Sequence, residues 1–387
     1  MRFLYFPCFL TCFLGLVGEN NLLSQECFPF EETTYLANMP EPVSNNAVCS
    51  GYVGSNRYVY SFGGIDTSKA YAGIHSKCWR YDIEADLWEL LPDLPDSTHR
   101  IAASATYLNG IIYIVGGYEV LPNGNEISLD FVHRFDCESN QFLSNAAPLP
   151  KAIDDHVHCL WRDSVLFITT GWSNTGNMAL VQMYNPTTDH WTTQNQVWNF
   201  SRYSSFGASG IILDDTMFYL GGAASSFSFP IQPILRKGVI GKENPLDIIW
   251  SDMDVDLDKA LYRSGAISID GVPTWIGGSN NTCNYNGVAY DGTGGVDPSA
   301  KILQYINNNL SASQCSTASM DLRGLAWFPE HGDLYVAGGM LANQEISDQL
   351  VRFTIGSLSA KSPTTLMTHF KCSQTRPVVP VFFKVHN

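Results

Sequence analysis

YVYSFGG at residues 58–64 is a run of strand-forming residues that stops on a glycine pair, and the same design returns five more times. The copies are IYIVGG (112–117), LFITTG (166–171), MFYLGG (217–222), PTWIGG (273–278) and LYVAGG (334–339), about fifty to sixty residues apart. A single unit of this size cannot bury both faces of its own small sheet, so it must stack on its neighbours. The chain is therefore expected to be an array of β-repeats. The third copy keeps only its second glycine, with Thr170 in place of the first.

Around the first glycine pair, NNAVCSGYV (45–53) and RYVYSFGG (57–64) read as two strands joined by a tight turn, followed after a loop by CWRYDI (78–83) and LWELLPDLP (87–95). That makes a unit of four antiparallel strands. Three repeats place one aromatic seven residues ahead of another: Tyr81 and Trp88, Phe135 and Phe142, Tyr184 and Trp191. The segments between them, DIEAD, DCESN and NPTTD, are turn-formers, so each aromatic pair brackets a hairpin and can pack between adjacent sheets.

An apolar strand ending in two glycines, followed by a tyrosine and a tryptophan at this spacing, resembles the kelch repeat. The resemblance runs from about Asn45 to Thr354. Six copies imply an all-β, six-bladed kelch-type β-propeller over residues 27–360, with four antiparallel strands per blade. In that family the last blade is often closed by a strand from the other terminus. TYLANMPEP (34–42) is the expected closing strand of the blade around Gly339, and the tail 361–387, with VVPVFF at 378–383, is its rival and is otherwise expected to pack on the outside.

Met1-Arg2 leads into the apolar run Phe3–Val17, which fits a secretory signal over residues 1–18 and is too short for a membrane span. No later stretch is apolar for long enough to cross a membrane. The expected location is secreted, extracellular or periplasmic. The net charge of −15 argues against nucleic acid as a partner. Eight cysteines follow the apolar run (27, 49, 78, 137, 159, 283, 315 and 372), with no CxxC pair for a zinc ribbon or a redox centre, so disulfides are expected. A ring brings the chain ends together, which makes Cys27–Cys372 one expected bridge. Sequons stand at Asn199, Asn280 and Asn309.

The kelch resemblance implies that the loop after each glycine pair and the loop entering the next inner strand open on one face, around a central channel. The long stretches 223–249 and 279–301 fall there, the second carrying Tyr285 and Tyr290. Long loops on a rigid scaffold are where binding residues concentrate. Segments entering the inner strands read STHRIAAS (97–104), AIDDHVHC (152–159), NFSRYSSFG (199–207), ALYRSGA (260–266) and MDLRGLA (320–326). They set Arg100, Arg202, Arg263 and Arg323 at nearly equivalent positions, with Asp154, Asp155 and His156 in the third blade. Converging guanidinium groups would hold a carboxylate or sulfate; alternatively each ties neighbouring blades together.

In DDHVH, period two puts Asp154, His156 and His158 on one strand face, where inter-blade hydrogen bonding is favoured over a metal patch. The alternation from Asp252 to Asp258 lacks the glycine and glutamate of a calcium loop and reads as an outer strand. No cofactor and no metal are expected. The sequence has no G-x-S-x-G elbow and no HExxH. Three functions stay open. The first is a recognition protein binding a glycan or an extracellular protein at the channel-mouth loops. The second is a sugar-acid epimerase or mutarotase, by similarity in repeats and export to N-acetylneuraminate epimerase, using Asp155, His156 or Glu119 for proton transfer. The third is an extracellular scaffold.

Overall fold

The computed structural model describes residues 27–95, 99–194 and 200–355. The expected leader, the tail 361–387, Cys372 and the Asn199 sequon lie outside them.

Six four-stranded antiparallel sheets form the blades. Blade 1 runs from the innermost strand outward as Ala47–Val53, Asn56–Ile65, Ile74–Asp82 and Leu87–Leu91. Blade 2 is Ser104–Leu108, Ile111–Val115, Val132–Asp136 and Gln141–Phe142; blade 3 is Val157–Trp161, Val165–Thr169, Val181–Asn185 and His190–Gln194. Blade 4 is Ser209–Leu213, Thr216–Leu220, Ile234–Val239 and Ile249–Asp254; blade 5 is Gly265–Ile269, Val272–Ile276, Lys301–Ile306 and Asn309–Gln314. Blade 6 takes Ala326–Phe328, Asp333–Ala337 and Leu350–Thr354 from the end of the repeat region, and its outermost strand is Glu32–Tyr35. The segment after Thr34 thus closes the ring as expected, pairing Thr34 with Arg352 and Tyr35 with Val351.

Each neighbouring pair of blades encloses its own apolar core. Tyr60, Phe62, Ile112 and Phe135 fill the seam between blades 1 and 2, and Phe218, Leu220, Trp275 and Leu303 that between blades 4 and 5. Fully burying such a side chain is worth about 1.5–3 kcal/mol, so stability is spread around the ring. The aromatic pairs do face each other across the outer hairpins: Tyr81 is in register with Trp88, Phe135 with Phe142 and Tyr184 with Trp191, at ring separations of 5.3, 5.1 and 4.9 Å.

The glycines are required where one blade's turn meets the next blade's backbone. A Cβ on Gly221, whose φ is +69°, would stand 2.0 Å from the Leu261 carbonyl oxygen of blade 5. In blade 3, Thr170 holds φ 52° and turns its Oγ1 to account: it donates to the Ser205 carbonyl at 2.8 Å and accepts the Ser205 N–H at 2.7 Å. The hydroxyl makes the inter-blade bond that offsets the missing glycine.

Three expectations change. Cys27 is bonded to Cys315, not to Cys372, because the incoming chain passes the end of blade 5, where Cys27 N–H also donates to Gln314 O. Cys49, Cys78, Cys137, Cys159 and Cys283 are buried free thiols packed as apolar residues. The acidic alternation forms an outer strand only to Asp254, and Leu257–Lys259 is a 3-10 turn.

Candidate mouth pocket and channel

A belt of hydrogen bonds circles the channel where the chain enters the inner strands. Asn45 N–H donates to Asp321 O (3.2 Å), Ala102 N–H to Asn45 Oδ1 (2.6 Å) and Asp155 N–H to Ala102 O (3.2 Å). Gly207 N–H donates to Asp155 O (2.8 Å), Arg263 N–H to Gly207 O (2.7 Å) and Leu322 N–H to Arg263 O (2.9 Å). Residues 45, 102, 155, 207, 263 and 321 all adopt φ between 47° and 68°. Such left-handed backbone costs about 1–2 kcal/mol at a non-glycine residue, and the closed ring of bonds holds it in place.

The belt carries a buried ion network. Arg263 donates to Asp155 from Nε (3.0 Å to Oδ1) and Nη2 (2.5 Å to Oδ2), and from Nη1 to Asp321 Oδ1 (2.8 Å). Asp321 also accepts Ser44 Oγ–H (2.7 Å) and Asn45 Nδ2–H (2.8 Å). Arg323 lies 3.4 Å from Asp155 Oδ1 and donates to the His156 carbonyl at 2.9 Å. With two guanidinium groups facing two carboxylates, the network is close to neutral and plugs the channel.

Above the plug, on the glycine-pair face, lies a pocket of about 80 Å³ lined by Tyr118, Trp172, Phe206, Phe229 and Tyr290 together with Glu126, Asp154, Asp155 and Arg263. Its walls come from the turns after the glycine pairs of blades 2 to 5 and from the segments entering the inner strands of blades 3, 4 and 5. These include the hairpins Tyr118–Val120 with Glu126–Ser128 and Trp172–Ser173 with Gly176–Asn177. The rings pack edge-on: Trp172 against Phe206 and Phe229 (both 5.5 Å) and Phe229 against Tyr290 (4.9 Å). Asp154 is 3% exposed, and its Oδ2 accepts Ser128 Oγ–H at 2.6 Å. Desolvation, then the charge of Asp155, pushes its carboxyl well above the usual carboxylate range. Glu126 is exposed as a residue, yet the surrounding walls desolvate its carboxyl and raise its pKa.

Below the plug, the inner strands enclose a channel cavity of about 230 Å³ lined by His156, His158, Arg323 and Ser264 among others. His156 is buried and shares a 2.8 Å hydrogen bond with Ser104 Oγ. Desolvation and then Arg323 push His158 down to about 3.

The residues expected to form one site are therefore divided. Arg263 and Arg323 belong to the plug, Arg263 facing the pocket and Arg323 the channel. Arg100, two residues ahead of the belt, is buried and donates to the Gly116 carbonyl at 2.8 Å. Arg202 is five residues ahead of it, on the short helix Phe200–Tyr203, and pairs with Asp252 and Asp254 of blade 4's outer strand. The four arginines are not equivalent: Arg263 and Arg323 meet at Asp155, whereas Arg100 and Arg202 stand two and five residues ahead of the belt and bond elsewhere. Asp154 and Asp155 line the pocket, His156 the channel, and Glu119 neither, so the three candidate proton-transfer groups share no cavity.

Asp154 precedes the strand and the kink at Asp155 intervenes, so Asp154, His156 and His158 do not form a common face. No metal-holding group of three or more His, Cys, Asp or Glu side chains occurs among the described residues. Tyr285 and Tyr290 both pack against the apolar cluster that includes Tyr118 and Phe206, but only Tyr290 lines the pocket. Of the stretch 223–249, only 223–233 reaches the mouth, since Ile234–Val239 is blade 4's third strand.

Sequence reading missed Asp321, Glu126, Trp172, Phe206 and Phe229. A signal for the belt was present: in blades 2 to 5 its residue stands fifteen or sixteen positions ahead of the second glycine. In the aromatic wall, Tyr118 and Trp172 each follow a second glycine directly, and the other rings carry no such mark.

The Kelch motif profile matches residues 100–142 and a second Kelch motif profile matches residues 47–95. Together with six four-stranded blades, this decides the family. The chain is a kelch-repeat β-propeller.

This kelch propeller is similar to Kelch-like protein 25 of Xenopus tropicalis, 26% identical over 42% of this chain and 25% of the relative. It is also similar to Kelch-like protein 36 of Bos taurus, 24% identical over 44% of this chain and 26% of the relative. The aligned region spans about a quarter of the length of these curated relatives. Among solved structures, that of YjhT superposes with a TM-score of 0.65 at 15% identity, over 84% of this chain and 98% of that one, a likeness of fold.

Proposed function

We propose that this kelch propeller is an extracellular or periplasmic recognition protein that docks a protein partner on its glycine-pair face. The observation that carries the reading is the mouth itself: a small aromatic pocket walled in part by Phe229, on the loop 223–233 that also carries Phe227, 98% exposed. An exposed aromatic next to a walled pocket has the form of an interaction surface, and buried aromatic anchors dominate such interfaces. The pocket is small, about 80 Å³, a size suited to the end of a side chain. That favours a protein over a glycan. Export is supported by the apolar run at residues 3–17 and by the Cys27–Cys315 disulfide. The division of Asp155, His156 and Glu119 between different surroundings weighs against the epimerase alternative.

Selection of a random peptide library on the full chain tests the reading. The expected result is enriched peptides that lose at least tenfold in affinity for Phe229→Ala. Enrichment indifferent to mouth substitutions would support an edge-binding scaffold instead, and glycan-array hits without peptide enrichment would return the glycan reading; either outcome overturns the proposal.

A further inference from the structure

We propose that the mouth pocket is selective for a primary alkylammonium head, the end of a lysine side chain on the protein partner. The inference rests on the docking reading above and adds the chemistry of the docked group.

The pocket has an excess of acid. Glu126, Asp154 and Asp155 line it against one guanidinium, Arg263, and that group is already shared between Asp155 and Asp321. Arg263 therefore has little left for an incoming anion. The two acids outside the plug keep acceptor capacity: Asp154 gives one oxygen to Ser128 Oγ–H, and the Glu126 side chain lines the same space. An ammonium group supplies donors for them, three N–H from one centre. The remaining lining is aromatic, with Trp172, Phe206, Phe229, Tyr118 and Tyr290 around the same space, and ring quadrupoles attract a cation within about 6 Å of a centroid. Methylene groups behind the ammonium would cover the rings as the stem of a lysine does elsewhere. A carboxylate or sulfate would meet Glu126 and Asp155 there, with Arg263 already engaged, and is disfavoured.

The probe is n-butylammonium chloride, titrated into the full chain at fixed ionic strength and followed by saturation-transfer NMR, with 1-butanol and butyrate as the neutral and anionic counterparts. Butylammonium is expected to bind at least tenfold more tightly than either. Asp154→Asn and Glu126→Gln are each expected to weaken it about fivefold or more, and Glu126, being exposed, can be changed without touching the plug. Nα-acetyl-lysine amide is expected to bind more tightly than glucosamine, which carries the same ammonium on a sugar. Equal binding of 1-butanol, indifference to both carboxamide variants, or preference for glucosamine would overturn the proposal. If butylammonium fails while selected peptides still depend on Phe229, only the ammonium assignment falls. If the peptides ignore the mouth altogether, the docking reading falls with it.

Discussion

Asp155 and Arg263 are 108 residues apart in the chain and are joined across the channel by three contacts of 2.5–3.2 Å, both side chains being 2% exposed. The pair couples blade 3 to blade 5 and, through Asp321, to blade 6. It divides the axis of the propeller into an aromatic pocket above and a histidine-lined channel below.

Removing one member of this pair should be costly. Arg263→Met leaves Asp321 without its cation and Asp155 with only Arg323 at 3.4 Å, and losing one side of a buried ion pair typically costs about 3–5 kcal/mol. Urea unfolding of the variant should show that loss, together with sub-additive loss in Arg263→Met/Asp155→Asn. Additive effects would mean the two do not act as a unit.

The register of the belt explains what could be read in advance. The glycine pairs announced six blades because each first glycine presses on the next blade's carbonyl, as Gly221 does on Leu261, and that demand is written in one residue type. The closing strand was legible from the prolines after Thr34. The arginine ring was not, because Arg100 and Arg202 stand two and five residues ahead of the belt, Arg263 in it and Arg323 two residues after it, and nothing in the entry segments marks those offsets. The aromatic wall was hard to see for a related reason: Trp172, Phe229 and Tyr290 come from the turns after three different glycine pairs and Phe206 from an entry segment, and only the fold brings them together.

Gly221→Ala and Gly110→Ala separate close approach from backbone strain. Both glycines have positive φ, +69° and +85°, but an added Cβ meets Leu261 O at 2.0 Å in the first and nothing within 4 Å in the second. Gly110→Ala should cost about 1–2 kcal/mol, and Gly221→Ala clearly more, with a correspondingly larger fall in Tm. Equal falls would refute the steric argument.

The Cys27–Cys315 bridge anchors the chain just ahead of the ring-closing strand Glu32–Tyr35. Reduction, or Cys27→Ser/Cys315→Ser, should lower stability by about 2–5 kcal/mol. Hydrogen exchange should rise first in Leu350–Thr354, the partner of that strand. Uniform exchange throughout the ring would contradict a local role for the bridge.

His158 should give the channel an acid sensitivity. Its pKa is held down to about 3 by desolvation and then by Arg323, against about 6.5 when unfolded. A depressed histidine leaves the unfolded state binding more protons, so its contribution is intact above pH 6.5 and is lost as pH falls from there toward 3. The loss is up to about 1.4 kcal/mol per pH unit. His158→Gln should flatten the stability profile between pH 6.5 and 4 by that amount; an unchanged slope would show that the imidazole is not desolvated.

The most direct measurement compares the two ends of the axis. Calorimetric titration of a selected peptide into the wild type, Phe229→Ala and His158→Gln should give at least a tenfold loss for the mouth variant and no change for the channel variant. A loss confined to His158→Gln, or equal affinity for all three proteins, would contradict recognition at the glycine-pair face.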